Sequence, residues 1–214
     1  NVYAVTNICE PLVAIVATLI VSAIIFAALG KPAGAALYTF VISPVSSLNG
    51  WAELSVKAAP LVLIGVGLAI GFRASVWNIG AEGQFILGAI FGGGVALAAG
   101  DREGFWILPA MIVAGALGGM AWAAIPAFLK TRFNANEILT SLMLTYVAQL
   151  LLIYLVVGPW KDPEGYGFPQ TRLFSDAATM PILVSGTRIH LGVLAAVIAV
   201  ALGWLLYAKT LLGF

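Results

Sequence analysis

Residues 71–84 read GFRASVWNIGAEGQ, and the chain is organised around them. It lies between two apolar runs, yet it carries Arg73, Asn78, Glu82 and Gln84. Irregular, glycine-punctuated backbone bearing charge is costly in hydrocarbon and is tolerated only inside protein or against a wet cavity. Gly80 and Gly83 flank the glutamate and leave backbone N–H groups accessible. Asn78 reads as the N-cap of the helix that follows, with Glu82 in its first turn, where the helix dipole favours an anion. Two roles for Glu82 stay open: a helix-start anion, or the buried partner of Arg73, which requires the chain to fold back between them.

Composition sets the class. Hydrophobic residues make up 62% of the chain and charged ones 9%, against about 25% charged in a soluble domain. Mean hydropathy is +1.06. The expected fold is all-α, a polytopic membrane protein with about six transmembrane helices and a broken or re-entrant region near residues 71–84. A net charge of +1, with 10 basic residues split among short loops, makes no stripe for nucleic acid. The single cysteine, Cys9, excludes an internal disulfide, and the single histidine, His190, reads as a surface or capping residue. Residues 1–214 form one transmembrane domain. The chain starts at Asn1 and stops after a hydrophobic run, so it is expected to be a piece of a longer protein.

The first apolar run, Pro11–Leu29, is long enough to cross a hydrocarbon core of about 30 Å as a helix. Residues 33–50 read as an interfacial connection broken at Ser43-Pro44 and Asn49-Gly50. Glu53 and Lys57 stand four apart, the order favoured for a helical ion pair. The second run, Ala58–Phe72, opens at Pro60 and looks short, as one half of a discontinuous helix does. A third run covers Phe85–Ala99 and a fourth Phe105–Leu129. Gly88 and Gly92, then Gly115 and Gly119, have the small-xxx-small spacing of closely packed membrane helices. In KTRFNANE, residues 130–137, Asn134 and Glu137 have capping-box spacing before the fifth run, Ile138–Val157. Ser141, Thr145 and Gln149 recur every four residues there, a polar stripe that either bonds to a neighbouring helix or lines a passage. Residues 158–188 suit an ordered extramembrane loop, and the sixth run is Ile189–Ala208. Lys130, Arg132 and Lys209 share one side if each of the last three runs crosses once, and the positive-inside bias makes that side the cytoplasm.

Enzymatic chemistry is not provided for. No GxxxxGK[ST], HExxH or GxSxG occurs, and there is no second histidine for a metal site or a Ser–His pair. No catalytic residue, metal ligand or cofactor site is therefore assigned. What remains is a pathway protein or a membrane scaffold in which the polar stripe is packing alone.

Resemblance narrows this. FRASVWNIGAEGQFILGA (72–89) resembles the signature of permease subunits of ATP-binding-cassette importers for nucleosides and simple sugars, where a phenylalanine usually replaces Trp77. LKTRFNANEILTSLMLTYVAQLL (129–151) resembles that family's second signature, and GPWKDPEGYGFPQT (158–171) the loop after it. The final KTLLGF is similar to the start of the segment leading to the cytoplasmic coupling region. The branch working with BMP-type lipoprotein receptors is the nearest in pattern, and its substrates are mostly nucleosides. The resemblance implies a multi-pass protein of a bacterial or archaeal cytoplasmic membrane. It further implies a second permease subunit, identical or homologous, a cytoplasmic ABC ATPase that performs the hydrolysis, and an extracytoplasmic substrate-binding lipoprotein, all working in membrane lipid. Asn78, Glu82 and Gln84, with Thr145 and Gln149, are the path candidates; Arg73, Asn134 and Glu137 are read as structural or capping residues. The alternative is an ATP-independent secondary transporter or channel. Inverted repeats and proton-relay carboxylates would favour that reading, and the chain shows no visible repeat and one candidate membrane carboxylate, Glu82.

Overall fold

The computed structural model describes the backbone of residues 2–209 and the side chains of residues 10–209. The Cys9 side chain and the end of the KTLLGF match, residues 210–214, lie outside it. Among the described residues, six helices are long and apolar enough to cross a membrane. In chain order the helices are α1 (Val2–Ala28), α2 (Ala33–Leu37), α3 (Leu48–Arg73), α4 (Ala81–Ala99), α5 (Ile107–Phe133), α6 (Glu137–Val157) and α7 (Leu191–Lys209). The chain divides into two units, residues 1–58 with 184–189, and residues 59–183 with 190–214.

In the first unit, α1 runs through Pro11 and ends at the left-handed Gly30 (φ 68°). Short α2 continues into one π-helical turn, Tyr38–Ile42, and a 3-10 turn, Ser43–Val45. Phe26 of α1 meets Phe40 of the π turn at 6.1 Å between ring centroids. The expected break at Asn49-Gly50 is absent. Ser47 caps the next helix, its Oγ accepting the Gly50 N–H at 3.0 Å, so α3 starts at Leu48. A Cβ on Gly50 would lie 2.1 Å from the Pro44 carbonyl oxygen, so this glycine permits the turn against the helix start. Glu53 does not pair with Lys57 but with Arg188, at 3.4 Å.

The early start of α3 corrects the reading of a short second span. At 26 residues it is about 39 Å long at 1.5 Å per residue, enough to cross by itself, with Pro60 in its interior rather than at its mouth. The break is real but narrower than expected: residues 74–80 are non-helical, and α4 resumes at Ala81.

The second unit is held by α4, which packs against α5 and α6. Small residues make this possible, because without a hydrophobic drive between helices in lipid, close backbone approach supplies the attraction. Seven of the ten buried apolar residues described are alanines. On α4, a Cβ on Gly88 would sit 3.1 Å from the Gly115 carbonyl oxygen of α5, and one on Gly92 3.0 Å from that of Met111. A Cβ on Gly119 would lie as close to the Gln84 carbonyl oxygen, at 3.2 Å. The two small-xxx-small pairs thus form one seam. Residues 158–183 fold over the turn between α4 and α5. Trp160 packs against Leu87, Ile90 and Ala148, while Ala178 packs against Ala96, Ala99 and Ile107.

Candidate functional site

The site is built where α3 stops and α4 begins. Ser75 takes the left-handed conformation (φ 57°). Its N–H donates to the Phe72 carbonyl at 3.0 Å, and the Val76 N–H to Gly71 at 2.9 Å. These two bonds are the Schellman pattern, which satisfies carbonyls orphaned at a helix end. Arg73, in the last turn, lies over the Tyr207 ring of α7, 4.4 Å from its centroid. That contact brings the ends of α3 and α7 together, with Arg73, Lys130, Arg132 and Lys209 all in last turns of helices that finish at this end.

Asn78 does not cap α4. The N-cap residue is Gly80, which has no side chain with which to cap the helix. Asn78 instead makes a side-chain turn, its Oδ1 accepting the Gly80 N–H at 3.0 Å. The same oxygen accepts from Gln84 Nε2 at 3.2 Å, and Asn78 Nδ2 donates to Gln84 Oε1 at 3.1 Å. The two amides are thereby joined face to face, both half-buried.

Arg73 and Glu82 form no ion pair among the described residues, which corrects the fold-back pairing. Arg73 is taken by Tyr207, and Glu82 Oε1 accepts from Gln149 Nε2 of α6 at 3.0 Å. The stripe on α6 divides. Ser141 and Thr145 are buried and return their hydroxyls to their own helix, to Ile138 and Ser141 carbonyls at 3.2 and 3.1 Å. Their faces receive α4: a Cβ on Gly80 would lie 2.7 Å from the Ser141 Cβ, and one on Gly83 2.9 Å from the Thr145 Cα. Thr145 is therefore a packing residue here, and Gln149 is a cross-helix bond to Glu82.

The capping box is also corrected. Asn134 ends α5, in the left-handed conformation (φ 53°), with its N–H donating to the Lys130 carbonyl at 2.9 Å. Asn136 caps α6, its Oδ1 accepting from Ile138 and Leu139 N–H at 2.9 and 3.3 Å. Glu137 pairs with Lys130 across the turn.

Two cavities open on the amide pair. The wider, of about 520 Å³, lies among α3, α4 and α5, between Leu63, Gly67, Phe85, Ala116 and Met120. The narrower, of about 160 Å³, is bounded by Trp77, Pro126, Ser141 and the Lys130–Glu137 pair. Asn78, Gln84 and Ala123 line both. Of the five path candidates, Asn78 and Gln84 are thus brought to a cavity together, Glu82 and Gln149 to each other, and Thr145 to a helix contact. The sequence reading missed Lys130 and Trp77 as cavity walls. The signal for Lys130 was its place seven residues before Glu137 across a two-helix turn.

Six apolar helices of membrane-crossing length among the described residues define a polytopic membrane protein. Residues 50–214 match the family described as branched-chain amino acid transport system / permease component, and the chain belongs to that family. It is 39% identical over 214 residues to the glucose ABC transporter permease protein of Haloferax volcanii, covering 95% of this chain and 56% of that one. It is 27% identical over 220 residues to the guanosine ABC transporter permease protein of Bacillus subtilis (98% and 60%). With the nucleoside ABC transporter permease protein of Lactococcus lactis it shares 26% over 211 residues (95% and 58%). The chain thus spans less than two thirds of the length of each. No solved structure matches it. The family and the six apolar helices make it a multi-pass protein of the cell membrane.

Proposed function

We propose that the chain is the transmembrane permease subunit of an ATP-binding-cassette importer and forms the translocation path for a neutral, hydroxyl-rich solute, a nucleoside or a simple sugar. The observation that carries this is the family match over residues 50–214, joined by relatives named for glucose, guanosine and nucleoside transport. The cavity chemistry supports it. Two neutral amides stand at the junction, and the one charged pair on the wall, Lys130 with Glu137, is self-neutralised. Such a wall offers hydrogen bonds without a net charge to trap an ion.

In this reading a second permease subunit completes the path and a substrate-binding lipoprotein delivers solute from outside. A cytoplasmic ATPase drives reorientation from the end carrying Arg73, Lys130, Arg132 and Lys209. Asn78 and Gln84 meet the solute, while Glu82, Gln149 and Thr145 hold α4 and α6 at their present spacing. The membrane is the cytoplasmic membrane of a bacterium or archaeon. The test is uptake of labelled guanosine and of labelled glucose by cells expressing the full-length transporter with its partner ATPase. Replacing the ATPase's phosphate-binding lysine should abolish uptake. Unchanged uptake would favour an ATP-independent carrier instead.

A further inference from the structure

The Asn78–Gln84 pair has an asymmetry that the proposed permease role does not by itself require. Asn78 is fixed from both sides. Trp77 before it packs against Phe72 in a tilted contact at 5.3 Å between centroids, a Cβ on Gly80 after it would lie 2.7 Å from the Ser141 Cβ, and the Gly80 N–H holds its Oδ1. Among the described residues Gln84 is held at its amide by Asn78 alone, at the end of a flexible side chain on α4. Asn78 and Gln84 line both cavities, so the amide pair stands at their boundary, and if the Gln84 side chain rotates away, Asn78 is left with its Nδ2 donor and one Oδ1 lone pair free.

We infer that this amide pair is the selectivity latch of the path, with Gln84 the moving arm and Asn78 the fixed reader. This rests on the permease reading. Opening breaks two hydrogen bonds in a half-buried place, and polar groups left unpaired there oppose it. A solute replaces both bonds only if it presents a donor and an acceptor side by side. The lactam edge of a nucleobase does this, and so do the vicinal hydroxyls of a sugar. Side-chain amides read a comparable donor–acceptor edge, the N6/N7 edge of adenine, bidentately in nucleic-acid complexes. An apolar solute replaces neither bond and a bare ion at most one of them, so both leave the latch shut. The wide cavity is within the range of about 300–1,000 Å³ usual for small-molecule sites, whereas the narrow one is below it. The solute is accordingly held on the wide side and passes the latch toward Lys130 and Glu137.

The experiment uses cells expressing the full-length transporter with its ATPase, each variant normalised to its amount in the membrane. Uptake of inosine is compared with that of purine riboside, which lacks the lactam edge, and of 2′,3′-dideoxyinosine, which lacks the diol. Glucose and 2-deoxyglucose form a parallel pair. The wild type should prefer the complete solute by about tenfold or more in at least one pair, since a site built to hydrogen-bond rejects the analogue that cannot. The pair showing the preference identifies whether base or sugar is read. Gln84→Ala should collapse that preference by raising uptake of the poor analogue. Asn78→Asp keeps the acceptor for Gly80 and loses the donor, and should collapse the preference by lowering uptake of the complete solute. Wild-type uptake with no preference in any pair, or preferences unchanged in both variants, would overturn the latch while leaving the permease reading in place. No ATPase-dependent uptake of inosine or glucose by the wild type would overturn both.

Discussion

Gln149 reaches across 67 positions of sequence to donate its Nε2 hydrogen to Glu82 Oε1, 3.0 Å away. The bond ties the first turn of α4 to the middle of α6, where the two helices already touch at Gly83 and Thr145. Glu82 therefore serves two ends at once, as an anion near the α4 N-terminus and as an acceptor for a neighbouring helix. Substitutions at Glu82 and Gln149 should be non-additive, with a coupling of about 0.5–1 kcal/mol. Glu82→Ala combined with Arg73→Gln should be additive, because Arg73 is occupied by Tyr207. Unfolding midpoints of the purified singles and doubles measure both cycles. Coupling of Arg73 rather than Gln149 to Glu82 would reverse the assignment.

The glycine seam makes a sharper contrast. In Gly83→Ala the new methyl meets Thr145 backbone at 2.9 Å, which neither helix can yield without parting from the other. Overpacking of this kind costs about 1–3 kcal/mol. At Gly65 of α3 nothing lies within 4 Å. Gly65→Ala should therefore be neutral or stabilise by up to about 1 kcal/mol through helix propensity. Membrane abundance and thermal stability of the two variants should move in opposite directions.

The sequence carried the fold because apolar runs and their breaks are direct statements about hydrocarbon. The seam was legible too, since Gly88, Gly92, Gly115 and Gly119 have a spacing with one physical use. Caps were harder. Asn134 and Asn136 stand two apart, and either could have started α6. The left-handed turn at Asn134 decided between them by ending α5 there, which local pattern alone does not show. The partners of Arg73 and Glu82 were out of reach for a different reason. Tyr207 and Gln149 come from distant helices, and nothing in the 71–84 stretch points to them. At the candidate site the residue types were legible, but not their division between cavity wall and helix contact.

The cap assignment has its own consequence. Asn136→Ala removes the acceptor of two N–H groups at the start of α6 and should cost about 1 kcal/mol. Asn134→Gly keeps the left-handed turn and removes the steric penalty there, so it should be neutral or slightly stabilising. Differential scanning of the two purified variants checks this. A larger loss at Asn134→Gly than at Asn136→Ala would restore the capping-box reading.

The arrangement of ends also fixes an orientation that can be tested directly. Consecutive helices α3 to α7 alternate in direction. The turn at residues 134–136 and the end of α7 therefore share the end where Arg73 meets Tyr207, and residues 158–183 share the other with the α4–α5 turn. The basic residues Lys130, Arg132 and Lys209 gather at the first end, without a matching excess of acids. The opposite end mixes Arg102, Lys161 and Arg172 with Asp101, Glu103, Asp162, Glu164 and Asp176. Short basic turns resist translocation, so the first end should face the cytoplasm. Single cysteines placed in a Cys9→Ala background report this. Leu173, 95% exposed, when changed to Cys should react in intact cells with a thiol reagent that does not cross the membrane. Thr131→Cys, exposed on the last turn of α5, should react only after the membrane is permeabilised. Labelling of both in intact cells, or of Thr131→Cys alone, would overturn the orientation. With it would go the assignment of the ATPase to the Lys130 end.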